Sequence, residues 1–193
     1  MSTSSASATP QQFITAAELL TMPDDGRVTE LVRGRIIEMP PAGYGHGRYC
    51  FAIARALSKY LDQNDCGHVA INDAGIVTET NPDSVRGADV AFGSYQRIPR
   101  ESPPQGYWPR SPELVFEVRS PSDRWVNVVA KVQEYLHADV KVVAVLDPDE
   151  RRLHVYAPDA APFVLTENDE LNLGQILPDI LPNCLLAVRD FLK

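Results

Sequence analysis

The sequence predicts an α/β fold, a mixed β-sheet flanked by helices with additional hairpin strands at its N-terminal end. Three observations carry that expectation. Residues 142–146 form an unbroken apolar run, the pattern of a central strand covered on both faces. A strand over 113–119 precedes it, and between the two lies a helical pattern over 125–138. Upstream, short alternating segments punctuated by Gly, Pro and Asn read as hairpins.

Each element can be justified in order. Residues 15–21 (TAAELLT) suggest a short helix, capped by Thr15 and stopped by Pro23. VTELV and RIIEM, within 27–39, make a hairpin that turns at Arg33-Gly34. Pro40, Pro41, Gly43 and Gly45 then break the chain. His46, Cys50, Ile53, Ala54, Leu57 and Leu61 follow at helical spacing, with Gly67 as the expected end. Residues 69–77 suggest a strand broken near 72–75, hence a second hairpin. Asn81-Pro82-Asp83 turns the chain into a strand over 85–92. A Pro-rich connection over 93–112 is long enough to suggest a lid, or an arm through Tyr107 and Trp108 for self-association. The helix over 125–138 has the stripe Trp125, Val128, Val129, Val132 and Leu136. Residues 152–156 and 163–165 form a late hairpin, and 185–192 a closing helix.

At 193 residues the chain suits one domain over 13–193, preceded by a Ser/Thr/Ala-rich segment over 1–12 that reads as a disordered tail. Three scattered cysteines without a CxxC pair suit a reducing cytoplasm. No stretch approaches the roughly 20 apolar residues of a membrane span, and that tail is not a signal peptide. No Gly-rich phosphate loop, HExxH or cysteine zinc pattern is present, so no organic cofactor is expected. The formal net charge of −8 opposes indiscriminate binding to a polyanion. A local basic cluster is still available from Arg33, Arg35, Arg48, Arg55 and Lys59.

The chemistry centres on two consecutive strands with a carboxylate on each. Alternation puts Asp89 opposite the face of Val90 and Phe92, and Glu117 opposite the apolar face Leu114, Phe116, Val118. An acid late in an apolar strand is costly to bury unless something pairs with it. Two such acids side by side repel, and a hard divalent cation between them relieves the repulsion. Plainer readings stand beside this one. Asp89 could be a satisfied buried aspartate, and Glu117 could pair with Arg119 or Arg86. Lys131 could be a solvated helix lysine, and Glu30 an exposed hairpin residue. His46 could be a core or capping histidine, or a site-edge residue contacting phosphate. Ser120-Pro121-Ser122-Asp123 reads first as a helix cap.

Several ordered blocks resemble one family. Glu30-Leu31-Val32-Arg33-Gly34, Pro40 to His46, Ala88-Asp89-Val90-Ala91-Phe92, and Pro112 to Val118 followed by Ser120-Pro121-Ser122-Asp123 are similar to the Uma-two family. Lys131, Tyr135 and Asp147-Pro148 continue the likeness, which runs from about Ile14 onward. That family is assigned to the PD-(D/E)xK nuclease superfamily. The resemblance implies a restriction-endonuclease-like fold and a Mg²⁺-dependent endonuclease, Mn²⁺ substituting, that hydrolyses DNA; a cytoplasmic homodimer is expected beside it. It implies Asp89, Glu117 and Val118 as the metal site and Glu30 as an outlying acid. The catalytic lysine would come from the following helix, as Lys131. His46, Arg119 and Tyr135 would contact substrate. Arg119 stands where a lysine is usual, and an always-charged guanidinium could replace it only electrostatically. That departure keeps a second function in play, a non-catalytic member of the fold that binds nucleic acid or protein. A third is a subunit whose activity needs a partner.

Overall fold

The computed structural model describes residues 13–193; the expected N-terminal tail lies outside them. Its centre is an eight-stranded sheet in the order β2 (Arg35–Met39), β1 (Val28–Val32), β4 (Ser84–Ser94), β5 (Leu114–Val118), β6 (Val142–Asp147), β7 (Arg152–Tyr156) and β8 (Phe163–Thr166), with β3 (Gly67–Glu79) paired to β4. Only β5 (Leu114–Val118) and β6 (Val142–Asp147) run parallel; the other pairs are antiparallel, so the sheet is mixed, as expected. Helix α3 (Trp125–His137) makes the crossover between these two strands, the step a parallel pair requires.

The first helix, α1 (Ala16–Thr21), has the expected Thr15 cap, completed into a capping box by Glu18. Strands β1 (Val28–Val32) and β2 (Arg35–Met39) pair across a two-residue turn in which Arg33 and Gly34 both take positive φ, 48° and 73°. That conformation matches the twist of the flanking strands. Helix α2 runs Tyr44–Leu61 and ends at Asp62, short of Gly67, because the chain already turns into β3 (Gly67–Glu79) there.

The expected break near 72–75 is a bulge rather than a turn. Asn72 and Asp73 adopt φ of 68° and 55°, the register with β4 (Ser84–Ser94) shifts between Ile71 and Ala74, and the strand continues. Asn and Asp tolerate this left-handed region better than other side chains, so one extra residue is absorbed without ending the strand.

The sheet is covered on both faces. Residues Ile53 and Leu57 of α2 pack with Val90, Phe92, Leu114, Phe116 and Leu146, beneath the C-terminal segment of α4 (Leu173–Ile176), β10 (Leu185–Ala187) and α5 (Val188–Phe191). On the other face Val132 and Tyr135 of α3 pack with Ala88, Ala91, Val115, Val143 and Val145. The stripe of α3 therefore includes Tyr135, whereas Val129 is 37% exposed. The expected closing helix is a short strand, paired with β9 (Glu170–Asn172), followed by one helical turn. Strands β7 (Arg152–Tyr156) and β8 (Phe163–Thr166) form the late hairpin.

The connection between β4 and β5 does not project as an arm. Trp108 is buried, its backbone N–H donates to the Gly75 carbonyl at 2.9 Å, and it bridges Ile76 in parallel. The Trp108 indole therefore packs in the core instead of reaching outward, while Pro103 to Gly106 stay exposed. Among the described residues no helix is long and apolar enough to cross a membrane.

Candidate functional site

The site begins where β4 and β5 part. Their last paired positions are Val90 and Phe116, so Asp89 and Glu117 are the next residues on neighbouring strands, at the mouth of the fork. The Asp89 carboxylate enters the gap and accepts the Val118 backbone N–H at 2.6 Å. From the opposite side Asp89 Oδ2 meets His46 Nε2 at 3.2 Å, and His46 Nδ1 lies 3.5 Å from Cys50 Sγ one turn along α2. Asp89 is 7% exposed.

Glu117 is held from α3. Lys131 Nζ donates to Glu117 Oε2 at 2.9 Å, and the Tyr135 hydroxyl donates to Oε1 at 2.8 Å. Both donors also reach the Gly87 carbonyl, at 2.9 and 3.1 Å. The spacing of four along α3 places ammonium and hydroxyl one above the other, facing a single carboxylate. Lys131 lies at the border of the buried stripe, so its stem packs on apolar surface while its head enters the site.

Glu30 on β1 extends the network. It is 6% exposed, not an exposed hairpin residue. Glu30 Oε1 accepts the Gly87 N–H at 3.1 Å and faces Lys131 Nζ at 3.2 Å; Oε2 accepts from Arg86 at 2.7 Å. Arg86 in turn grips Glu134 with two bonds of 2.6 and 2.7 Å, the bidentate geometry that suits guanidinium. Gly87 is required where it stands, because a Cβ there would lie 2.8 Å from the Asp73 Cβ.

The charges perturb one another strongly. Burial and then the Asp89 charge push the Glu117 carboxyl up to about 8, against the opposing pull of Lys131. The hydrogen bond to Asp89, ahead of that to Cys50, holds His46 protonated, up to about 11. Burial would lower Lys131, yet Glu117, then Tyr135 and Glu30, keep it well above its ordinary range. Burial would raise Glu30, but Lys131 and Arg86 hold it below. Asp73, in the β3 bulge, is raised first by burial and then by Asp89.

A cleft of about 360 Å³ opens beside this cluster, lined by Glu117, Lys131, Arg86, Arg119 and Asn127 with Ile37 and Met39 on its outer wall. Arg119 reaches the cleft but is committed elsewhere. It donates to Asp147 at 2.8 Å, and its guanidinium stacks 5.4 Å from the Trp125 ring centre. Glu117 therefore pairs with Lys131 rather than with Arg119 or Arg86. The expected cap before α3 is absent: Arg124 is the N-cap without a side-chain bond, and Asp123 closes the preceding loop onto the Ser120 N–H at 2.8 Å.

Asp89, Glu117, Lys131, Tyr135, Glu30 and His46 thus lie in one connected cluster, with Val118 tied to it through its N–H and Arg119 on the rim. Of the expected basic cluster, Arg33, Arg35, Arg48, Arg55 and Lys59, none lines the cleft; its cations are Arg86, Arg119 and Lys131. Sequence reasoning missed Asp73, Glu134 and the structural weight of Arg86. Asp73 had a readable signal, since two adjacent left-handed-tolerant residues inside a strand mark a bulge, and bulges re-aim side chains.

No curated protein matches the chain. Among solved structures it is similar to a crystal structure from Anabaena variabilis described as "a putative nuclease belonging to DUF820". That likeness has a TM-score of 0.75 and 19% sequence identity, over 93% of this chain and 97% of that one. At that identity the likeness shows the fold. The family model Uma2, described as "Putative restriction endonuclease", matches residues 16–189, and the chain belongs to that family.

Proposed function

We propose that the protein is a divalent-metal endonuclease that hydrolyses DNA phosphodiester bonds at the β4–β5 fork. The observation that carries this reading is a buried ammonium delivered from a helix to a strand carboxylate, Lys131 to Glu117 at 2.9 Å, next to a second strand carboxylate, Asp89. Asp89 and Glu117, with the Val118 backbone, would hold Mg²⁺, or Mn²⁺ in its place. The donor set fits: two strand carboxylates supply the hard oxygen ligands magnesium prefers, and the Val118 carbonyl would be the third. The electrostatics fit as well: beyond burial, the Asp89 charge also raises the Glu117 carboxyl, a repulsion that a divalent ion would relieve. When bound, the ion supplies Lewis-acid stabilisation of phosphoryl charge and a more acidic water.

The chain's own residues do the rest. Lys131 places a fixed positive charge where negative charge grows on the phosphate, and its burial keeps that charge unscreened. Glu30, which also lines the cleft, positions Lys131 and Arg86. Tyr135 fixes the Glu117 carboxylate, and His46 holds Asp89 from outside the fork. Arg119 and Arg86 line the cleft and add positive potential there, although their guanidinium groups are held by Asp147 and by Glu134 and Glu30. The three cysteines are unpaired, which fits the cytoplasmic location included in this proposal.

A homodimer belongs to the same proposal. Edge strand β2 is exposed along its whole length. Antiparallel pairing with a second copy, centred between Ile36 and Ile37, would continue the sheet across the dimer. Light scattering on the native chain and on an Ile37→Lys variant tests it: a dimer that the variant splits supports it, a native monomer opposes it.

One observation favours the non-catalytic reading. Both Glu117 oxygens are already engaged by protein donors. Calorimetric titration of Mg²⁺ or Mn²⁺ decides between the two, because a degenerate site shows no Asp89-dependent binding. For activity, metal-dependent cleavage of varied DNA substrates that disappears in Asp89→Ala and Glu117→Ala supports the nuclease. Failure to cleave any DNA with either ion removes it.

A further inference from the structure

His46, Cys50 and Asp89 form a cluster of a different chemical kind: one donor atom from each lies within 4.8 Å of the other two. His46 and Cys50 are one turn apart on α2, so they project from the same face of a helix anchored in the core by Ile53 and Leu57. Asp89 approaches from β4. His46 lies between the other two, its Nε2 3.2 Å from Asp89 Oδ2 and its Nδ1 3.5 Å from Cys50 Sγ, so an ion taking one ring nitrogen would have both remaining ligands close by. Binding would reorient the imidazole so that one nitrogen, the sulfur and a carboxylate oxygen, already within 4.8 Å of one another, converge on one ion.

A thiol and an imidazole are poor partners for magnesium, which prefers oxygen. They select softer or borderline ions. Three protein ligands with a fourth position left to water is a common zinc arrangement.

We propose that His46, Cys50 and Asp89 form a second metal site, selective for a thiophilic divalent ion of the zinc class. Cys50 binds as thiolate and His46 through one neutral ring nitrogen. The thiol proton and the proton that His46 carries in its pair with Asp89 pass to solvent. The site shares Asp89 with the magnesium site proposed above, and only that sharing rests on the nuclease reading.

Cobalt(II) replaces zinc and reports its ligands by absorption. Titrated into the metal-free full chain, Co²⁺ should give a thiolate-to-cobalt charge-transfer band and the intense visible bands of tetrahedral coordination, saturating at one ion per chain and bleached by Zn²⁺. Cys50→Ser should remove the charge-transfer band, and His46→Gln, which removes a direct ligand, should weaken binding by more than the roughly 10- to 100-fold typical of losing an outer-shell partner; thermal melting verifies that both variants fold. Cys66→Ser and Glu117→Gln should keep the bands. Absence of a charge-transfer band in the native chain, or a band that survives Cys50→Ser or is lost in Cys66→Ser, overturns the site. The two proposals fail separately. Glu117→Gln should abolish Mg²⁺-dependent cleavage while leaving the cobalt spectrum intact, so native protein that shows the cobalt bands without cleaving DNA contradicts only the nuclease, and cleavage without cobalt bands contradicts only this site.

Discussion

Replacing Lys131 by methionine separates its role in catalysis from its role in the fold. Methionine keeps much of the unbranched stem and deletes the ammonium. The lost contacts are Glu117 at 2.9 Å, the Gly87 carbonyl at 2.9 Å and Glu30 at 3.2 Å. At an effective dielectric near 20, each ion pair at such a distance is worth about 5–6 kcal/mol before desolvation. The net loss is smaller. Removing one partner of a buried pair costs about 3–5 kcal/mol, and here both orphaned acids have relief. Glu30 keeps Arg86 and the Gly87 N–H. Glu117, already pushed up to about 8, escapes further by keeping its proton. The expected destabilisation at neutral pH is therefore at or below the bottom of that range, about 3 kcal/mol. The loss in cleavage rate should be far larger relative to its cause, about 10²- to 10³-fold, the typical effect of removing one preorganised electrostatic donor. Urea unfolding followed by circular dichroism measures the first quantity, and cleavage of a fluorescent DNA duplex with Mg²⁺ the second. A folded Lys131→Met protein that cleaves at the native rate would refute the role assigned to this ammonium.

Arg119→Lys should change cleavage by less than tenfold, because the guanidinium is engaged with Asp147 and Trp125; a loss matching that of Lys131→Met in the same assay would reverse the assignment. Arg86→Ala should destabilise the fold by about 3–5 kcal/mol in urea unfolding, since it strips Glu134 of its bidentate partner and removes one cation from buried Glu30, which keeps Lys131. The metal-free protein should lose stability as pH rises. The folded-state pKa of Glu117 is raised from 4.5 to about 8, so its contribution is complete below about 4.5 and is lost as pH climbs through about 8; Glu117→Gln should flatten that decline in melting temperature. The His46–Asp89 pair acts with the same sign, its contribution being complete below about 6.5 and lost only toward about 11.

How much of this was legible depended on whether the signal was local. The βαβ unit of β5, α3 and β6 announces itself, because a fully buried strand must be apolar at every position and an amphipathic helix must keep its stripe. Asp89 and Glu117 were visible for the same reason, as acids interrupting strands that had no other cause to hold them. Lys131 was half-legible: its place at the stripe border can be read from spacing, whereas its reach to Glu117 depends on how α3 crosses the sheet. The bulge at Asn72-Asp73 was seen as a break, since local propensity marks the irregularity but not whether the partner strand continues past it. Trp108 shows the opposite limit. Nothing near it in the chain predicts that a Pro-rich connection will bury its indole beside β3, because the cavity it fills is made by residues distant in sequence.

The most direct measurement is a crystal of the native protein soaked in Mn²⁺ and read by anomalous scattering. The account predicts one manganese peak at the fork, contacted by an oxygen of Asp89 and an oxygen of Glu117, with Lys131 still beside it. Density at the His46–Cys50 side without Glu117, or no manganese at the fork at all, would contradict it.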